Sequence, residues 1–133
     1  MKNTRIQIVE DERIVALDLK QALEALGCEI TGIVATGPAA IELARRSPPD
    51  LILMDIHLEG PMDGTEAARM IRLAAPVPII FLTAYAEDDN LRKAAASAPY
   101  GYLVKPYEMR ELRATLQMAL SRRTAELDIE SAE

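Results

Sequence analysis

Short apolar runs rich in β-branched residues alternate along this chain with longer stretches whose apolar positions recur every three or four residues. That alternation is the pattern of repeated strand–helix units around a parallel sheet. The first run is Arg5–Val9, with Ile6, Ile8 and Val9 as its apolar residues. From Glu12 to Leu26 the spacing of Val15, Leu19, Ala22 and Leu26 predicts a helix with one apolar face, closed by Gly27. Residues 28–35 read as a second strand, and Thr36-Gly37-Pro38 as the start of a helix that runs to about Ser47 before Pro48-Pro49 stops it. Leu51–Met54 is apolar without interruption, as a central strand covered on both faces should be. A loop, His57–Gly64, leads to a third helix from about Thr65 to Ala74, and Ile79–Leu82 forms the fourth strand. Glu87-Asp88-Asp89 opens a fourth, Ala-rich helix with negative charge where the macrodipole favours it, and Pro99 ends it. Gly101–Val104 supplies a fifth strand, and Glu108 to about Arg123 a last helix with Leu112, Leu116 and Ala119 along one side. The expected domain is 4–123, followed by a short, acidic, frayed tail over 124–133.

Five such units suit an open, doubly wound α/β sheet, since a closed barrel needs eight and roughly 250 residues. In open sheets of this kind ligands bind beyond the carboxyl ends of the strands. Four of the predicted strands end there on residues with chemistry to offer: Glu10-Asp11, Asp55, Thr83 and Lys105-Pro106. Brought to one edge, they make a cluster of carboxylates flanked by a hydroxyl and an ammonium.

Three carboxylates a few ångströms apart repel one another unless protons or a cation intervene. Oxygen donors favour a hard divalent ion such as magnesium, or manganese in its place, over zinc with its His and Cys ligands. With the local charge neutralised, Asp55 can act as a nucleophile toward phosphorus, giving an aspartyl phosphate. Magnesium, Lys105 and the Thr83 hydroxyl then each have a phosphoryl oxygen to stabilise, while the small Ala84 leaves the approach open and offers its backbone N–H.

Composition narrows the class further. The chain has 133 residues, half of them hydrophobic, enough for one independently folding core. Net charge is −6 and the pI about 4.9, so the surface repels nucleic acid and anionic lipid, and neither is expected as a partner. The lone Cys28 reads as a small buried hydrophobe. Without a signal peptide at the N-terminus, or any window near the roughly 20 apolar residues of a membrane span, the expected location is the cytoplasm.

In order and spacing, Val9-Glu10-Asp11-Glu12, Leu53-Met54-Asp55, Met62-Asp63-Gly64, Leu82-Thr83-Ala84 and Lys105-Pro106 resemble the receiver domains of two-component response regulators, over nearly all of residues 4–123. The resemblance implies a flavodoxin-like three-layer fold with strand order 2-1-3-4-5. It further implies a phosphoryl group passed to Asp55 from a sensor histidine kinase or histidine phosphotransfer protein, with magnesium held by Glu10, Asp11, Asp55 and the backbone carbonyl of His57. Thr83 and Lys105 would contact phosphoryl oxygens, Lys105-Pro106 would be cis, and Tyr102 would be the switch aromatic that turns inward as Thr83 moves. A downstream protein, or a second copy forming a homodimer, would read the face of the fourth helix, fifth strand and last helix. The protein is then a stand-alone signalling switch and not an enzyme beyond its own phosphotransfer and dephosphorylation. Two departures stand out: Glu59 takes the place of the family's usual Pro, and Gly64 lies nine residues past Asp55 where eight is usual, so this loop is one residue longer. Two alternatives remain. A magnesium-dependent phosphohydrolase would also use an aspartyl nucleophile, but it commonly has an acid two residues on, where this chain has His57. A degenerate, non-phosphorylated interaction module would not need the acids, Thr83 and Lys105 that are all present.

Overall fold

The computed structural model describes residues 1–84, 92, 94, 95 and 98–132. Its elements are β1 (Arg5–Val9), α1 (Arg13–Ala25), β2 (Glu29–Val34), α2 (Gly37–Arg46), β3 (Leu51–Asp55), α3 (Gly64–Ala74), β4 (Ile79–Thr83), β5 (Gly101–Val104) and α4 (Met109–Ala132). The opening expected for a fourth helix at Glu87-Asp88-Asp89 lies outside the described residues, and of its later part residues 92, 94 and 95 are described, all helical. All strand pairings are parallel, and the order is β2-β1-β3-β4-β5, the doubly wound topology expected.

Alternate residues of each strand point to opposite faces, so the sheet separates two apolar compartments. Ile6, Ile8, Leu51, Leu53, Ile80 and Leu82 face α1 and α4, packing with Leu19, Leu23, Leu112 and Leu116. Val9, Ile52, Met54, Ile79 and Phe81 face the opposite way, onto Ala40 of α2 and Ala67, Ala68 and Ile71 of α3. Gln7 is also fully buried on β1, where its amide nitrogen donates to Ala40 O at 3.0 Å and ties the strand to α2.

Local signals set the helix starts. The Thr36 hydroxyl accepts from Ala39 N at 3.3 Å and caps α2, while the Asp63 carboxylate accepts from Glu66 N at 2.9 Å and caps α3. Just past α1, Gly27 takes φ +93°, the left-handed conformation that ends a helix at little cost to glycine.

Two expectations are corrected. The buried stripe of α1 is Ala16, Leu19 and Leu23, with Ala22 and Leu26 only partly buried. Ile14 and Leu17 are exposed on the same helix, so apolar residues occupy too much of its circumference for spacing alone to choose the inward side. The stretch expected to fray past Arg123 is instead helical through Ala132. It contains no Gly or Pro, and Arg122 and Glu126, one turn apart, approach to 3.7 Å. Tyr100, just before β5, anchors the same turn: its hydroxyl donates to Glu126 Oε1, and its ring lies under the Arg122 guanidinium at 4.1 Å and the Arg72 guanidinium at 5.4 Å.

Candidate functional site

Strand register brings the predicted site residues to one level. Val9 pairs with Met54, Asp55 with Leu82, and Thr83 with Val104, so Glu10, Asp55, Thr83 and Lys105 all emerge at the carboxyl edge. The backbone N–H of Lys105 donates to Thr83 O at 2.7 Å, which fixes the two outer members to each other. Lys105-Pro106 is cis, as expected.

Glu10 and Asp55 are 2% and 5% exposed. Lys105 Nζ donates to both, at 2.5 Å from Glu10 Oε1 and 2.8 Å from Asp55 Oδ2. Their other oxygens accept backbone donors: Asp55 Oδ1 from His57 N at 2.9 Å, and Glu10 Oε2 from Glu12 N at 3.2 Å. Asp11 is the third acid and partly exposed; one oxygen from each of Glu10, Asp11 and Asp55 lies within 4.8 Å of the others.

One ammonium therefore faces three carboxylates, and the imbalance is visible in proton affinity. Burial, the hydrogen bond with Asp55 and that residue's charge push the Glu10 carboxyl up to about 7 against the opposing pull of Lys105. Burial alone would lower Lys105, but its hydrogen bonds to Asp55 and Glu10 outweigh that and hold its pKa above the usual lysine value. The clustered donors are all carboxylate oxygens, and the exposed His57 imidazole is not one of them. Such a set fits a hard cation such as magnesium, with Glu10, Asp11 and Asp55 as the side chains able to hold it.

Thr83 is wholly buried at the end of β4, and Ala84 beside it is exposed, leaving that side of the cluster open. Tyr102 is 39% exposed, with its ring 6.2 Å from Phe81 and inclined at 27°, so it lies outward and is not a core residue.

One residue, Tyr107, and the contacts made by two motif residues, Gly64 and Met62, escaped the sequence reading. Tyr107 lines a cleft with Lys105, Ala84 and α1, and burial pushes its hydroxyl up; its place directly after Lys105-Pro106 was the available signal. Gly64 N donates to Ile56 O at 2.8 Å, placing α3 against the backbone that follows Asp55. Met62 lies on Gly37, across from the site loop, and no short-range pattern marks that contact.

A model of the response regulator receiver domain family matches residues 6–117. This chain belongs to that family. Among receiver-containing relatives, the transcriptional regulatory protein PdtaR of Mycobacterium tuberculosis is 36% identical over 118 residues, 89% of this chain and 57% of that protein. The phyllosphere-induced regulator PhyR of Methylorubrum extorquens is 34% identical, over 88% of this chain and 43% of that protein. This receiver thus spans about half the length of the curated relatives it matches. Of solved receivers, the one from the sensor histidine kinase PA1611 of Pseudomonas aeruginosa superposes with a TM-score of 0.81 at 34% identity, covering 90% of this chain and 98% of that one. That structure holds a magnesium ion coordinated in its active-site cleft. Among the described residues of this receiver, no helix is long and apolar enough to cross a membrane.

Proposed function

We propose that Asp55 is the phosphoacceptor of this receiver, taking its phosphoryl group from the phosphohistidine of a sensor histidine kinase or a histidine phosphotransfer protein. The observation that carries the reading is the buried pairing of Asp55 with Lys105 inside a cluster of oxygen donors at the carboxyl edge of the sheet. An Asp55 carboxylate oxygen attacks phosphorus, and the P–N bond to the donor imidazole breaks. The imidazole, carrying a proton on its other ring nitrogen, leaves with that electron pair as a neutral ring. Lys105 Nζ, already hydrogen-bonded to Asp55 Oδ2, follows negative charge onto the phosphoryl oxygens. The Thr83 hydroxyl and the Ala84 N–H serve the side of the group nearest β4. Glu10, Asp11, Asp55 and the His57 carbonyl would hold magnesium, which would supply positive charge against the phosphoryl oxygens.

Hydrolysis of the acyl phosphate restores the carboxylate, so the protein resets. Between those two states Thr83 and the outward Tyr102 change position, and the face of β5 and α4 changes with them. Tyr102, Val104 and Met118 already expose apolar surface on those elements, which suits recognition by a downstream protein or by a second copy.

Intact-mass spectrometry after treatment with acetyl phosphate tests the assignment. Wild type with magnesium should gain the mass of one phosphoryl group, and Asp55→Asn, or wild type with the metal chelated, should gain none. An unlabelled wild type, or labelling that survives Asp55→Asn, overturns it.

A further inference from the structure

The loop after Asp55 runs to Gly64, the first residue of α3, and the structure shows how it is held. At its base, Ile56 N donates to Leu82 O at 3.0 Å and Gly64 N to Ile56 O at 2.8 Å. Between them, Glu59, Gly60 and Pro61 are exposed, and Gly60 takes φ +88° with nothing near the position a Cβ would occupy. That exposed tip is held at two points. Glu59 forms an isolated parallel bridge with Thr36, and Met62 rests on Gly37, the first residue of α2. A Cβ on Gly37 would lie 2.7 Å from Met62 Sδ and 2.8 Å from its Cγ, so the seat exists only because residue 37 has no side chain.

The far side of this contact also leads back to the site. Ala35 alone separates Thr36 and Gly37 from β2, and Val34 O at the end of β2 accepts the Glu10 N–H at 2.9 Å. The loop on the near side begins at His57, whose N–H donates to Asp55 Oδ1. Two loops, one tied to Glu10 and the other to Asp55, are thus latched together across the end of β1.

From this we infer that the Met62–Gly37 seat is a positioning contact that sets the spacing between the Glu10-Asp11 and Asp55-His57 sides of the acid cluster. The inference rests on the reading of that cluster as a metal site. Met62 and Gly37 touch no reacting atom; they act through the backbone of His57.

Gly37→Ala tests it, because the added methyl must push Met62 off its seat while the backbone conformation at residue 37 suits alanine. In metal-free protein the His57 backbone amide should shift in a heteronuclear NMR spectrum, and the magnesium dissociation constant by calorimetry should rise about tenfold, as for loss of an outer-shell support. Gly37→Ala combined with Met62→Ala removes the two closest atoms and replaces the seat by a contact between the β-carbons of residues 37 and 62, which would lie 3.2 Å apart, and should bring the His57 amide back toward its wild-type position. A general loss of stability would not be repaired by removing more side chain. An unchanged His57 amide and unchanged affinity in Gly37→Ala, or a double variant no closer to wild type, overturns the inference. Should Gly37→Ala fail to fold, Met62→Ala alone removes the seat without adding bulk, and unchanged values there count equally against it. Failure of wild type to bind magnesium would sink the metal-site reading, while the metal-free amide shift would still judge the latch.

Discussion

Replacing Gly64 by alanine sets two physical effects against each other at the residue where the loop from β3 enters α3. Gly64 is the first residue of α3 and has no positive φ, so helix propensity alone predicts that Gly64→Ala stabilises the protein, by at most ~1 kcal/mol. Packing predicts the reverse. A Cβ there would lie 2.9 Å from Ile56 Cα and 3.0 Å from the Asp55 carbonyl carbon, and closer still to that carbonyl's oxygen, whereas ordinary contacts begin near 3.4 Å. The obstacles are backbone on both sides, so no rotamer relieves them and α3 must move away from β3. Overpacking of this kind costs about 3 kcal/mol, the upper part of its usual range. The net loss is then about 2 kcal/mol, a fall in Tm of roughly 6 °C for a domain of this size. Because the displaced carbonyl belongs to Asp55, acetyl phosphate labelling should slow as well. Thermal denaturation followed by circular dichroism reads the first effect and the intact-mass time course the second. A variant as stable as wild type, or more stable, would refute the close-contact reasoning and leave propensity in command.

Other consequences are as direct. Glu10, raised to about 7 in the folded protein from 4.5, contributes stability that is complete below pH 4.5 and is lost as pH rises through 7, up to about 3 kcal/mol. Metal-free protein should therefore lose Tm between pH 5 and 8, Glu10→Gln should flatten that slope, and magnesium should raise Tm more at pH 8 than at pH 6; an equal gain at both would contradict the assignment. Lys105→Met leaves Glu10 and Asp55 adjacent without their cation and should slow acetyl phosphate labelling about a hundredfold, with an unaltered time course the adverse result. Tyr100→Phe removes the hydroxyl bound to Glu126, and hydrogen exchange should show lost protection over 122–132 while β1, β3 and β4 keep theirs; full protection there would show that the anchor is dispensable.

Much of this was legible in the sequence, for identifiable reasons. Leu51–Met54 and Ile79–Leu82 are unbroken apolar runs because both faces of a central strand are covered, and they are wholly buried. The acid cluster was readable because its members follow predicted strands, Arg5–Val9 and Leu51–Met54, and a parallel sheet brings those ends together. What short-range pattern does not carry is the choice made by distant contacts. The inward side of α1 was misjudged because Ile14 and Leu17 blur its stripe. The end of α4 was placed too early because its last turns are polar, and their anchor, Tyr100, comes from the segment before β5. Met62 on Gly37 joins residues twenty-five apart, and nothing local to either announces it.

The two-sided sheet has a consequence for how this sequence can drift. Packing on the α1 and α4 side involves one set of strand residues, and packing on the α2 and α3 side the alternate set, so paired substitutions drawn from opposite sides should have independent effects. Evolution can rework either half without regard to the other. Only where the strands run out, at Glu10, Asp55, Thr83 and Lys105, must one arrangement satisfy both.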